Sequence, residues 1–421
     1  MYDIIVIGAG ITGVCFANKI VKFAKILLLD SQILKERPKS TNIFPFHNKP
    51  FLDDSEWDNP DIFPIPHLRT NYMGSDINGF INSKEFGRPL GKVCYTEKLL
   101  NRLAQKFEEQ GGELQDNQKV MKVNKYSDHV EVITDKGQSF SCKLLIFATG
   151  SRALELQKSV GFEIPDEFVG LYTHLYGNED KLNEILDVNY IYHINTKISK
   201  SGPFFINRGL DRISLGFLGD FQPIPELTSK LRAVIDNYQR IQPFINGLQL
   251  EFKPIISKIS KHPIKNFSQD RMLVLGEAAG LVTAFFYEGI MCGMISAELA
   301  SQTIKNLIES EREFTRENLH QYDKEVVRVL KNYFKNGSGS EYIFYNSGSN
   351  MSLIWNTYCK IITRDKTLRS YIYDAYQHNS IEEIANYDNS RDRYVGERLL
   401  ANLPLLKKIT LSPLFLKAMF K

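Results

Sequence analysis

The run Ile4-Ile5-Val6-Ile7 passes directly into Gly8-Ala9-Gly10-Ile11-Thr12-Gly13, and few folds can accommodate that join. An unbroken apolar run is the pattern of a parallel strand buried on both faces, and here it hands over to a helix at a glycine. Gly8 permits a tight turn, Gly10 lets a pyrophosphate approach the backbone, and Gly13 lets the helix pack closely on the strand. The phosphates would then sit at the positive N-terminus of that helix. Ala17 continues the close packing, Lys25 to Leu29 reads as a second buried strand, and Asp30 closes it. A carboxylate about 20 residues past the glycines accepts hydrogen bonds from an adenosine ribose and repels a 2′-phosphate, which leaves FAD or NAD.

The remaining composition excludes several classes. A net charge of +3 over 421 residues, without a long basic run, gives a nucleic-acid partner no electrostatic support. Cys15, Cys94, Cys142, Cys292 and Cys359 are scattered with no CxxC, which fits a reducing compartment and leaves no metal site to expect. The first strand begins within three residues of Met1, so no signal peptide is expected and cytoplasmic location is the default. Met272 to Ser296 is apolar but broken by Glu277, Glu288 and glycines, unlike a spanning helix.

From Asp30 to about residue 95 periodicity is lost in a stretch with Pro38, Pro45, Pro50, Pro60, Pro64 and Pro66, and loops laid over a cofactor are expected. Val120 to Phe140 alternates as a small antiparallel meander, and Leu144 to Phe147 is a buried strand ending in Ala148-Thr149-Gly150. Residues 151–270 read as short strands rich in Tyr and Phe, a lobe suited to walling off an apolar pocket. Arg271 to Leu275 is a third buried strand, followed by Gly276-Glu277-Ala278-Ala279-Gly280 and then the helix start Glu288-Gly289-Ile290. Glu277 supplies a carboxylate able to bind a polyol. A second distant backbone cradle is more than NAD needs, which decides for FAD. Gly337-Ser338-Gly339-Ser340 reads as a break before a helical tail.

Together these residues resemble the geranylgeranyl reductase family, in the para-hydroxybenzoate-hydroxylase branch of the glutathione-reductase-like FAD fold. Gly8-x-Gly10-x-x-Gly13-x-x-x-Ala17 with Asp30 is similar to the family's FAD turn, and Ala148-Thr149-Gly150 to its second flavin motif. Gly276 to Gly280 is similar to its Gly-Asp-Ala-Ala-Gly, whose acid holds the ribityl chain. Tyr287-Glu288-Gly289-Ile290 is similar to its Gly-Glu-Gly-Ile, which starts the helix facing the flavin's pyrimidine end.

The resemblance implies an α/β fold: a Rossmann-like FAD-binding domain over 1–150 and 271–335, an inserted antiparallel-sheet substrate domain over 151–270, and a helical C-terminal region over 336–421. The implied cofactor wall is Gly8, Ala9, Gly10, Thr12, Gly13, Asp30, Val120, Ala148, Thr149, Gly150, Gly276, Glu277, Gly280, Glu288, Gly289 and Ile290. The family's Tyr-x-Trp-x-Phe-Pro-Lys run is matched only loosely, by Gly202 to Gly209. Phe204 stands for the Trp and Asn207 for the Pro, while Tyr287 replaces a Gly and Tyr95 an Arg.

The activity implied is FAD-dependent reduction of double bonds in isoprenoid chains, those of membrane lipids among them. Flavin chemistry needs few side chains beyond placement and water exclusion. Proton-donor candidates are Tyr287, Cys292 and His47; Phe204, Ile206, Phe285 and Phe286 are candidates for an apolar substrate wall. No second dinucleotide unit is present, so NAD(P)H or an electron-transfer protein would visit transiently. Two other readings stay open: a flavin monooxygenase on a small apolar or aromatic substrate, and a non-redox prenyl-binding protein or flavin-assisted cyclase. The halogenase Trp-x-Trp-x-Ile-Pro motif is absent. Finally, Leu399 to Phe420 is rich in Leu and Phe and interspersed with Arg398, Lys407, Lys408, Lys417 and Lys421. Such a surface could rest peripherally on the inner face of a membrane, although Pro404 and Pro413 should break any long helix.

Overall fold

Tyr2–Ile7 pairs in parallel with Ile26–Leu29 on one side and with Ser139–Phe147 on the other, in a computed structural model that describes residues 1–186, 189–219 and 224–418. Met272–Val274 lies beyond Ser139–Phe147, and Glu113–Gln115 beyond Ile26–Leu29, both also parallel. These apolar runs form strands because helices cover both faces and only uniformly apolar side chains suit such a slot. The register places Ile7 opposite both Leu29 and Phe147, and Phe147 opposite Val274. Four carboxyl ends therefore align, and the turns at 8–13, 30, 148–150 and 276–280 emerge along one edge.

Helix α1 (Ile11–Ile20) follows the first turn and packs on α2 (Ile290–Glu309). Their approach is close because a Cβ at Gly13 would run into the Gly8 carbonyl, and Cβ atoms at Gly276 or Gly293 would meet the Thr12 hydroxyl. Thr12 thus fits between the two small-residue turns and ties them together.

A second sheet of seven strands runs in the order Gln249–Lys261, Asp166–Tyr176, Arg212–Leu218, Phe204–Arg208, Tyr190–His193, Arg69–Met73, Asn78–Asn82. The last two come from the region expected to be loops of the dinucleotide domain, so the 1–150 boundary is corrected here. Three more strands from that region, Thr41–Pro45, Gly91–Tyr95 and Ile65–His67, form a small sheet. Proline at strand ends and edges is tolerated, so these short pieces escaped a periodicity reading.

The C-terminal region differs most from expectation. Helix α3 (Arg316–Tyr345) runs unbroken through Gly337 to Ser340, so the expected boundary at 335 falls inside a helix. Those glycines serve close approach: a Cβ at Gly337 would lie 3.2 Å from the Ala284 nitrogen, and one at Gly339 would lie 3.1 Å from the Ala418 carbonyl oxygen. Helix α4 (Met351–Arg364) packs on the second sheet, with the Trp355 indole donating to Met73 O at 2.7 Å and the Thr363 hydroxyl to Asn78 O at 3.0 Å. Helices α5 (Ser390–Asn402) and α6 (Leu405–Ala418) follow. Pro413 lies within α6 rather than ending it; on an exposed face the helix loses one hydrogen bond and continues. Phe420 and Lys421 lie outside the described residues. Among the described residues no helix is long and apolar enough to cross a membrane.

Candidate functional site

The aligned strand ends open into a cavity of about 1390 Å³ that begins at the glycine turn and continues between the second sheet and helices α3 to α6. Gly8, Gly10, Thr12, Asp30, Val120, Ala148, Thr149, Gly150, Glu277, Glu288, Gly289 and Ile290 line it, as do His47, Phe285, Phe286 and Tyr287. Ala9, Gly13, Gly276 and Gly280 stand behind the wall and shape it.

The glycine turn has the features of a phosphate cradle. Gly8 takes a φ of +105°, and a Cβ there would strike the Ala148 carbonyl, so only glycine fits. A Cβ at Gly10, by contrast, would meet nothing within 4 Å, because that backbone faces open cavity ahead of α1. Asp30 accepts from Ala9 N at 2.7 Å, Gln32 N at 2.8 Å and the Arg37 guanidinium at 3.1 Å. A carboxylate offers about four acceptor sites, so one remains for a ribose hydroxyl. Arg37 Nη1 and Gln118 Oε1 are buried at this end without a protein partner, and both residues line the cavity. An orphaned donor and acceptor beside an open cradle fit the polar adenosine half of a dinucleotide. Nothing in the Pro-rich stretch around Arg37 signalled this.

At the other turn Glu277 accepts from Ser260 N at 3.2 Å, and burial pushes its carboxyl up to about 7. The rest of the carboxyl reaches toward Gly150, joining the second and third motifs. With acceptor capacity to spare on the cavity wall, it is suited to a polyol chain. The residues present therefore fit FAD: glycine cradle, ribose acid, polyol acid and the helix N-terminus at Gly289-Ile290.

Past that cradle lies a proton-holding cluster. His47 Nδ1 donates to Ala375 O at 3.0 Å, because a carbonyl only accepts, and Nε2 is 2.7 Å from Glu288 Oε1. The Tyr333 hydroxyl donates to Glu288 Oε2 at 2.7 Å. Burial pushes the Glu288 carboxyl up, but His47 and Tyr333 outweigh it and hold it below the ordinary carboxylate range. One proton is thus shared between His47 and Glu288 at the cavity wall.

The other two donor candidates are placed differently. Cys292 is buried within α2, does not line the cavity, and burial pushes its thiol well up. Tyr287 lines the cavity, but its hydroxyl donates to Ser201 O at 3.1 Å and burial pushes the phenol well up. Its φ of +55° explains why the resembling motif has Gly there: a side chain in this left-handed region carries a cost of about 1–2 kcal/mol.

Phe204 and Ile206 are corrected as well. Both are buried against Leu227 and Leu231 of the helix Ile224–Asn237, on the sheet face away from the cavity. Side chains alternate along a strand, so Phe205 and Asn207 face the cavity instead. The Tyr95 hydroxyl accepts from Leu210 N at 2.9 Å and donates to Asp211 at 2.8 Å, tying down a turn outside the cavity wall.

A family model for flavin containing amine oxidoreductases matches residues 68–171. No curated protein matches the chain in sequence. Solved structures match along nearly its whole length. A geranylgeranyl bacteriochlorophyll reductase-like protein from Thermoplasma acidophilum has a TM-score of 0.76 at 16% identity, covering 98% of this chain and 99% of its own. The flavin-dependent brominase Bmp2 has a TM-score of 0.71 at 14% identity, over 94% and 99%. The halogenase PltM, in complex with phloroglucinol and FAD, has a TM-score of 0.69 at 14% identity, over 99% and 96%. The chain has the fold of these FAD-binding flavoproteins, an α/β architecture with a Rossmann-type domain.

Proposed function

We propose that the chain is an FAD-dependent oxidoreductase that saturates double bonds in isoprenoid chains carried by lipids. The observation that supports the substrate class is the extent of the cavity. Ligand sites usually measure about 300–1,000 Å³. This one is about 1390 Å³ and continues past the cradle between apolar walls that include Phe285, Phe286 and Phe344. A dinucleotide leaves part of that space for an elongated apolar partner. The likeness to a geranylgeranyl bacteriochlorophyll reductase-like protein agrees with that reading.

Bound FAD, once reduced, supplies the two electrons that saturation requires. The chain's own residues hold and orient: the two glycine turns seat the nucleotide, Glu277 takes the polyol, and Phe285 and Phe286 exclude water. The proton comes from the His47–Glu288 pair, which has Nδ1 fixed by the Ala375 carbonyl and its shared proton at Nε2. A transient NAD(P)H or small electron-transfer protein provides the electrons.

Purified protein loaded with FAD, bleached by dithionite under anaerobic conditions and mixed with a geranylgeranyl lipid, is expected to regain its yellow colour. The lipid should gain two mass units per double bond. The likeness to halogenases favours one other reading, oxygen-dependent chemistry on a small aromatic. Reoxidation by air with an oxygenated aromatic product, and none with the lipid, would establish that reading instead. A colourless protein that cannot take up FAD would sink both and leave a non-redox prenyl binder.

A further inference from the structure

Helix α6 is apolar on two opposite faces. Leu411, Phe415 and Ala418 are buried against the protein. On the outward side Leu405, Leu406, Ile409 and Leu416 are 73%, 78%, 66% and 59% exposed. Leu405, Ile409 and Leu416 recur at helical spacing and form one stripe, with Leu406 and Pro413 along its edge. Four large aliphatic side chains on one helix face, open to water, are not what a surface helix ordinarily presents.

The charge along this stretch of chain has one sign. From Arg398 to Lys421 the chain carries Arg398, Lys407, Lys408, Lys417 and Lys421 and not a single Asp or Glu. Arg398 is engaged with Asp365 at 2.8 Å and Lys407 with Asn350 at 2.7 Å. Lys408 and Lys417 lie on α6 to either side of the stripe. An apolar strip bordered by lysines matches an acyl region bordered by anionic headgroups.

The same helix borders the cavity. Ser412, Phe415 and Leu416 line it, and Leu416 is also largely exposed, so the cavity reaches the surface beside the stripe. We propose that the outward face of α6 rests on an anionic phospholipid bilayer, with the cavity mouth at Leu416 opening onto the membrane surface. The docking rests on the helix and its charges, independently of the redox reading. A lipid-borne substrate would then enter from the bilayer without crossing water.

The test is flotation of the full chain with phosphatidylcholine vesicles, with and without phosphatidylglycerol. Binding is expected to the anionic vesicles, with loss at high salt and little binding to phosphatidylcholine alone. The triple variant Leu405→Ser, Leu406→Ser, Ile409→Ser should weaken it about tenfold or more while keeping the thermal unfolding midpoint, because these side chains contact little protein. Lys408→Glu with Lys417→Glu should weaken it by about fivefold or more per lysine. Absence of flotation with anionic vesicles would overturn the proposal, as would triple-variant binding equal to the unaltered chain. A dimer in sedimentation that the triple variant abolishes would assign the face to a second copy instead. None of these readouts needs flavin or turnover, so docking and redox function can fail separately.

Discussion

Glu277 sits at a cavity wall where its charge is costly until a ligand arrives. Its folded-state pKa of about 7 lies above the ordinary 4.5. An acid shifted upward stabilises the fold fully below its unfolded value, and that contribution is lost as pH rises through about 7. In flavin-free protein, Glu277→Gln should therefore raise stability at pH 8 by about 3 kcal/mol, with the gain vanishing toward pH 4–5. Denaturant midpoints across that pH range measure it, and a gain independent of pH would refute the assignment. Glu288 has the opposite sign: held low by His47 and Tyr333, it contributes above its ordinary value and loses that contribution as pH falls. If the pair supplies the proton, His47→Asn should lower turnover on a geranylgeranyl lipid about 100-fold with KM and flavin content nearly unchanged. Equal turnover, measured anaerobically, would remove His47 from the mechanism. His47 was visible in the sequence only as one histidine in a loop, because its partners, Glu288 and Ala375, are 241 and 328 residues away.

Elements were legible where one period governs them. The uniform apolar runs at 4–7, 26–29 and 144–147 became parallel strands because both faces are covered. Gly8 and Gly150 became turn residues because both take a positive φ, and at Gly8 a side chain would also strike the Ala148 carbonyl. Legibility failed where two environments alternate. Phe204, Phe205, Ile206 and Asn207 are all buried, so burial gives no hint of which face meets the cavity. Only the pairing of Phe204 with Phe217 and Phe205 with Gly216 fixes the parity. Phe204→Ala should thus cost about 3–5 kcal/mol of stability, as a large void in a closed core does. Phe205→Ala should cost less and act instead on substrate affinity. Parallel unfolding and binding measurements check the pair, and equal stability losses would contradict the parity. The Gly337 to Ser340 run failed differently, since glycine signals both a break and a close approach. Only the loop at Thr283 and Ala284 packed against it reveals which one operates.

At the scale of the whole molecule, the order of the chain and the order in space diverge. Strands Arg69–Met73 and Asn78–Asn82 leave the first domain to complete the second sheet, and α4 covers them from a point nearly 300 residues later. That crossing places Tyr72, Tyr192, Phe285, Phe344 and Trp355 in one core cluster, shared by the inserted sheet, the loop before α2 and the C-terminal helices. A reading by successive segments cannot see such a cluster, because each segment contributes one or two aromatics. The cluster also decides what the C-terminal region is. Trp355 is fully buried, its indole satisfies Met73 O, and a Cβ on Gly79 would meet Ile362 and the Cys359 carbonyl, so sheet and helix meet backbone to side chain. Removing residues 351–421 would expose that surface and take away the Trp355 donor to Met73 O, which would keep only His193 Nδ1. The shortened chain is expected to be insoluble or rapidly proteolysed even with excess FAD, whereas FAD should protect the full chain by about 3 kcal/mol at a hundredfold excess over its Kd. A shortened chain that stays soluble and binds FAD as tightly as the whole would show the helices to be an appendage. The two outcomes separate cleanly by limited proteolysis with and without FAD.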